Sequence, residues 1–173
     1  MNSKEIVKIT DGESYINSLR NRNLTVYLFG EKIKEPVDHD MIRPSINAIA
    51  KTFDLAISNP DLASVISPFT GERVSRFLHV CSSAEELVLQ NKIQRKLGQL
   101  TGTCFQRCVG MDAFNALYSV TYEMDEANDS NYHLKLKTFL TFMHKYNFVL
   151  GGAMTDVKGD RNLAPHEQED PDM

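Results

Sequence analysis

The chain has 173 residues, enough for one domain with a sizeable core, and its 42% hydrophobic and 24% charged residues are the balance of a globular protein. A formal net charge of −4 leaves no global basic field for nucleic acid or anionic lipid. No apolar run reaches the ~18 residues of a membrane span, so neither nucleic acid nor membrane is an expected partner. Three cysteines are too few, and odd in number, for a secreted disulfide framework. The N-terminus "MNSKEIVKITDGESY" lacks the apolar stretch of a signal peptide. These features together predict a cytoplasmic protein with reduced thiols.

In chain order, Asp11 to Leu19 is the first helix candidate, with Tyr15, Ile16 and Leu19 on one side. Thr25 to Phe29 reads as a short strand ending at Gly30. Asp40 is the expected cap of the next helix, with Pro44 tolerated in its first turn. Ile46, Ile49, Ala50, Phe53 and Ala56 then fall at helical spacing, and Asn59-Pro60 stops the run. Leu62 to Arg76 is ambiguous around a turn at Thr70-Gly71. Ser82 followed by Glu85 has capping-box spacing, and Leu89, Ile93, Leu97 and Leu100 continue as an amphipathic helix. The basic residues Lys92, Arg95 and Lys96 form a solvated face of it.

After Thr101-Gly102-Thr103 a further helical pattern begins. Phe105, Val109, Ala113, Ala116, Leu117 and Val120 form one stripe; Cys104, Cys108, Met111, Asn115 and Tyr118 form another. A helix apolar on more than one face is usually central to its domain. Asn128 to Asn131 is a loop, and Leu136, Phe139, Leu140, Met143 and Tyr146 define the last helix. The strand signal is weak throughout, so the expected fold is mainly α with at most short strands. Residues 1–150 read as a helical domain, and the polar, acidic 151–173 as a connection out of it.

Cys104 and Cys108 are the chemically suggestive pair. On a helix, residues i and i+4 are roughly 5–6 Å apart at Cβ, close enough for two thiolates to reach adjacent irons of a cluster. Such a cluster usually takes four cysteine ligands, so the pair is half a site. The alternative is that both pack as small hydrophobes, and spacing by itself favours this. Cys81 has no motif around it, and the five histidines, His39, His79, His133, His144 and His166, are scattered without finger spacing.

The longer run "CFQRCVGMDAFNAL", with "YLFGEKI", "VDHDMIRPSINAIAKTFDLA" and "GGAMTDVKGDRNLAPHEQEDPD" in the same order, resembles the 4-hydroxyphenylacetate 3-hydroxylase family over about Tyr15 to Asp172. The resemblance implies the N-terminal helical domain of an acyl-CoA-dehydrogenase-like flavoprotein, in which a β domain and a second α domain follow. It is strongest toward the branch that adds a four-iron four-sulfur cluster beside FAD. There Cys104 and Cys108 become two cluster ligands, and a histidine and a cysteine from a later segment complete the set. Cys81 has no counterpart and stays structural, while Met111 and Tyr118 shield the cluster or simply pack.

The glycine-containing turn from Gly151, with Met154, Thr155, Lys158 and Arg161, lies where this fold approaches its flavin; the other reading is a surface turn in a linker. The implied activity is dehydration of 4-hydroxybutyryl-CoA to crotonyl-CoA and isomerisation of vinylacetyl-CoA in a tetrameric enzyme. On this reading the β and C-terminal domains lie outside the chain, which alone is expected to be inactive. A flavin-dependent aromatic hydroxylase of the same fold, and a non-catalytic remnant or subunit, are the competing readings.

Overall fold

The computed structural model describes residues 6–152, 159–160 and 162–169. Among the described residues six helices dominate: α1 Gly12–Leu19, α2 Arg43–Ser58, α3 Pro60–Ala63, α4 Ala84–Thr101, α5 Cys108–Asn128 and α6 Tyr132–Tyr146. Two antiparallel hairpins join them, β1 Val26–Leu28 with β2 Glu31–Ile33, and β3 Ser64–Ile66 with β4 Arg73–Ser75. The domain is mainly helical, as the helical periodicities and weak strand signal predict. Among the described residues no helix is long and apolar enough to cross a membrane.

Local chemistry explains most of the helix ends. Asp11 accepts the Ser14 N–H at 2.7 Å and the Ser14 hydroxyl accepts the Asp11 N–H at 3.0 Å, a reciprocal cap on α1. Asn59 closes α2 through its N–H to the Leu55 carbonyl and opens α3 with its side chain.

Two expected caps are displaced. Asp40 does not cap α2. The His39 carbonyl takes the N–H groups of Ile42 (3.0 Å) and Arg43 (2.8 Å), so the entry to α2 is satisfied without a side-chain cap. The Ser82–Glu85 box is shifted by one residue. Ser83 caps α4 by accepting the Glu86 N–H, and Glu86 reaches back to the Ser82 N–H at 2.6 Å. Glu86 is recruited because His79 also meets its carboxylate at 2.8 Å, a partner Glu85 lacks.

The ambiguous stretch 62–76 resolves into α3, the β3–β4 hairpin and the start of a 3-10 turn at Arg76–Leu78. Arg76 donates to the carbonyls of Asp61, Leu62 and Ser64, taking up backbone oxygens at the end of α3.

The core forms three groups. α2 faces two of them, with Ala48 and Leu55 in one and Ala50 and Phe53 in another. α5 joins the first through Met111 to the third through Phe114, which packs with Leu78, Leu136, Leu140 and Met143. The expectation that α5 is central therefore holds. Its inward face is the Cys108–Met111 side, whereas Leu117 and Val120 of the other stripe are exposed. Leu100 of α4 is exposed as well, whereas the polar Gln90 of the same helix is buried beside Cys81.

His144 of α6 is fully buried. Its Nε2–H donates to the Leu78 carbonyl at 2.8 Å and its Nδ1 accepts the Ser67 hydroxyl at 2.8 Å. Burial pushes its pKa below the ordinary value, so the ring is held neutral in one tautomer. This histidine is a structural link between α6 and the 67–78 segment.

Candidate functional site

Residues 102–107, between Thr101 at the end of α4 and Cys108 at the start of α5, are a loop rather than the first turn of a helix. α4 ends at Gly102, whose φ of 62° is the left-handed conformation that glycine adopts at least cost. The Thr101 hydroxyl bridges the Leu97 and Thr103 carbonyls at 2.9 and 3.0 Å. Gln106 is also left-handed, with φ 52°, which is uncommon for a non-glycine residue. α5 begins only at Cys108.

Cys104 therefore does not share a helical face with Cys108, correcting the arrangement that spacing suggests. The physical reason is a pair of anchors. Phe105 (7% exposed) and Arg107 (2% exposed) both enter the core, leaving Cys104 and Gln106 outside. Phe105 packs on Phe77 with ring centroids 5.4 Å apart. Cys108 is half-buried and packs against the group containing Phe77 and Met111. Both thiols are free.

The start of α5 carries no side-chain cap.

Arg107 is the residue that spacing arguments missed. Its guanidinium lies over the rings of Phe53 (4.6 Å) and Phe77 (5.0 Å), and its Nη1 donates to the Thr52 hydroxyl at 2.8 Å. Burial pulls its pKa down to about 9, with Tyr15 opposing, so it remains charged at neutral pH. The only sequence signal was an arginine directly beside a cysteine; the alternation of buried Phe105 and Arg107 with exposed Cys104 and Gln106 is visible only in the fold.

Cys81 has a different setting. Its N–H is held by Asn115 at 2.7 Å and its thiol donates to Gln90 at 3.3 Å. Burial and the nearby Glu86 carboxylate push its pKa up, so it stays a protonated, packed thiol. Of the expected shielding residues, Met111 does sit with Cys108, but Tyr118 belongs to another part of the core, edge-on to His133 at 4.6 Å.

The end of the helical domain returns to this region. An ideal Cβ on Gly110 would lie 2.6 Å from the Leu150 carbonyl oxygen. The chain leading into Gly151 therefore packs directly on the first turn of α5, two residues beyond Cys108. Met154, Thr155, Lys158 and Arg161 lie outside the described residues.

A cleft of about 290 Å³ beside Thr101 and Thr103, lined also by Pro44, Asn47, Ala48, Lys51 and Leu100, is at the small end for a ligand site. Among the described residues no three His, Cys, Asp or Glu side chains converge to hold a metal. Two soft thiols fit half of a cluster's ligand set and need partners from elsewhere.

Comparison with known proteins bears on the same geometry. The family described as 4-hydroxyphenylacetate 3-hydroxylase N terminal matches residues 11–173. The 4-hydroxybutyryl-CoA dehydratase/vinylacetyl-CoA-Delta-isomerase of Clostridium aminobutyricum is 50% identical over 164 residues, covering 93% of this chain and 33% of that protein. The structure of an oxygen-tolerant archaeal 4-hydroxybutyryl-CoA dehydratase from N. maritimus superimposes with a TM-score of 0.85 at 61% identity. It covers 95% of this chain and 33% of its own. A mutant of HpaB complexed with FAD shares the fold at 17% identity and a TM-score of 0.65, over 94% of this chain and 34% of that one. The chain thus spans about a third of the length of these relatives.

Proposed function

We propose that this chain, which belongs to the 4-hydroxyphenylacetate 3-hydroxylase family and has its acyl-CoA-dehydrogenase-like helical fold, is the N-terminal domain of a 4-hydroxybutyryl-CoA dehydratase/vinylacetyl-CoA isomerase. Residues 1–150 form its helical unit, and 151–173 lead toward the flavin and a following domain. Cys104 and Cys108 are two ligands of a four-iron four-sulfur cluster, with the others supplied by a later segment. Met154, Thr155, Lys158 and Arg161 contact FAD. The substrate is an acyl-CoA, and the enzyme is a homo-oligomer, a tetramer by family resemblance. The exposed apolar residues Leu117 and Val120 of α5 suit burial against a neighbouring domain or subunit.

The observation that carries this reading is the meeting of two segments. The cysteine loop and the approach to Gly151 converge on the first turn of α5, through Gly110 and Leu150. The cysteine loop and the chain entering the proposed flavin turn thus share one helix turn, a closeness that favours coupled chemistry. When bound, the flavin supplies one-electron oxidation that acidifies the otherwise inert β-hydrogen, and the cluster supplies a Lewis acid toward the leaving hydroxyl.

This chain's own contribution is positioning. Phe105 and Arg107 lock the loop, Cys104 is presented outward, and Cys108 is half-buried at the helix end. Both cysteines act as ligands and not as nucleophiles. By themselves residues 1–173 hold two of four ligands, so the isolated chain is expected to retain little iron and to show no turnover.

The test is cysteine replacement in the complete enzyme, purified anaerobically. Cys108→Ser abolishes the broad visible absorbance of the cluster, and Cys81→Ser leaves it intact. Equal iron content in both variants would reject the assignment. The aromatic hydroxylase alternative shares the family and the fold but leaves both cysteines without a task.

A further inference from the structure

Arg107 presents a physical problem that the fold alone does not resolve. It is among the most buried side chains of the domain. Its partners are neutral: the Phe53 and Phe77 rings and the Thr52 hydroxyl. Among the described residues no carboxylate pairs with it, and its Nη2 is buried without a hydrogen-bond partner. A buried charge with no counter-charge is strongly unfavourable, and a leucine or methionine would fill such a place at lower cost. Its backbone carbonyl opens α5 by accepting the Met111 N–H, and the next residue is Cys108. The left-handed Gln106 on its other side turns the chain so that Arg107 points in while Cys104 stays out.

We propose that Arg107 is the positioning residue of the cysteine loop, anchoring it in the core and supplying the buried positive charge against which the thiolate-ligated cluster is held. The inference rests on the cluster reading given above. The anion is a cluster carrying thiolate ligands, whose net negative charge is the counter-charge the domain itself does not provide. Lysine could supply charge but not the planar fork that spans two rings and a hydroxyl. Thr52, on α2, is the second member of the anchor. It accepts from Arg107 while its own hydroxyl donates to the Ile49 carbonyl at 2.6 Å, so the acceptor is fixed in direction.

The experiment uses the complete enzyme carrying this domain, with Arg107→Met, Arg107→Lys and Thr52→Val. Iron loss to a chelator and the midpoint potential of the cluster are measured, alongside the melting temperature. Arg107→Met is expected to lose iron about 10-fold faster, the usual scale for an outer partner of a metal ligand. Its potential moves to more negative values, because a positive charge near the cluster is gone. Arg107→Lys keeps the wild-type potential but loses iron faster. Thr52→Val melts as a folded protein and falls between wild type and Arg107→Met in iron loss.

A structural role alone would not separate the lysine and methionine potentials, so equal potentials overturn the counter-charge. Wild-type iron retention in both Arg107→Lys and Thr52→Val overturns the anchor, whether or not Arg107→Met folds. A Cys108→Ser enzyme that keeps its cluster would instead remove the reading on which the inference rests. Loss of the cluster there, with Arg107 variants indistinguishable from wild type, defeats this inference alone.

Discussion

Gly110→Ala probes the contact that joins the cysteine helix to the chain beyond the helical domain. The added methyl would sit 2.6 Å from the Leu150 carbonyl oxygen and 2.9 Å from its Cβ. The first distance is roughly 0.7–1.0 Å inside an ordinary carbon–oxygen contact of about 3.3–3.6 Å. The obstacle is backbone, so no rotamer change relieves it. Overpacking of this kind costs about 1–3 kcal/mol. Alanine is the better helix former by about 1 kcal/mol in a helix interior, but Gly110 is in the first turn of α5, where that gain is smaller. The net effect is a loss. At roughly 2–4 °C per kcal/mol for a chain of this size, the melting temperature falls by about 2–12 °C.

Gly98→Ala is the matched control. It lies in α4 with nothing within 4 Å of its Cβ position, so the same substitution is expected to stabilise by about 0.5–1 kcal/mol. Paired thermal melts of the two variants read the difference in sign. A Gly110→Ala chain that melts at or above wild type would mean that Leu150 does not pack on α5. The idea that cluster loop and flavin approach are coupled would then lose its support. If the segment after Gly151 contacts FAD as proposed, the same variant in the complete enzyme should also retain less FAD, since Leu150 must move.

Asn147→Ala removes a buried bridge in which the side chain accepts the Ser75 N–H at 3.0 Å and donates to the Ile9 carbonyl at 2.9 Å. Two backbone groups lose their partners, so a destabilisation of roughly 2–4 kcal/mol is expected in denaturant titration. Asn147→Gly, which suits the left-handed φ of 53°, should restore only part of it. Burial opposes ionisation of Glu86, but the Ser82 N–H and His79 outweigh it and hold the carboxyl at about 2. A depressed acid contributes stability above the unfolded value near 4.5 and loses it as pH falls toward 2. Wild type should therefore lose about 1–3 kcal/mol more than Glu86→Gln between pH 5 and 2, where the pH range spans both forms of the acid. Parallel stability curves for the two proteins would refute the assigned role of Glu86.

The helices were legible wherever one stretch of chain contains its own instructions. Asp11 and Ser14 cap each other across three residues, Asn59-Pro60 ends α2, and Gly102 ends α4. The periodic residues of α2, α4 and α6 likewise announce their elements. Two caps were misplaced because their outcome depends on a third party. The His39 carbonyl displaces Asp40, and His79 selects Glu86 over Glu85. The β1–β2 and β3–β4 hairpins were only half visible, since three-residue strands carry too short a pattern to separate from loop.

What the sequence by itself determined is the class and the lineage: a mainly helical domain whose run "CFQRCVGMDAFNAL" marks a cysteine pair within a family. Periodicity states which residues share a face of a helix, because that follows from 3.6 residues per turn. It does not state which face is covered, nor where a helix begins when long-range anchors compete with local propensity. Only the tertiary structure decided that Cys108, Met111 and Phe114 face inward while Leu117 and Val120 face out. It alone removed Cys104 from the helix, by burying Phe105 and Arg107 between α2 and the 76–78 turn. It alone set Leu150 against Gly110, 40 residues apart in the chain. These are contacts between segments that meet only after folding, and no local pattern encodes the partner.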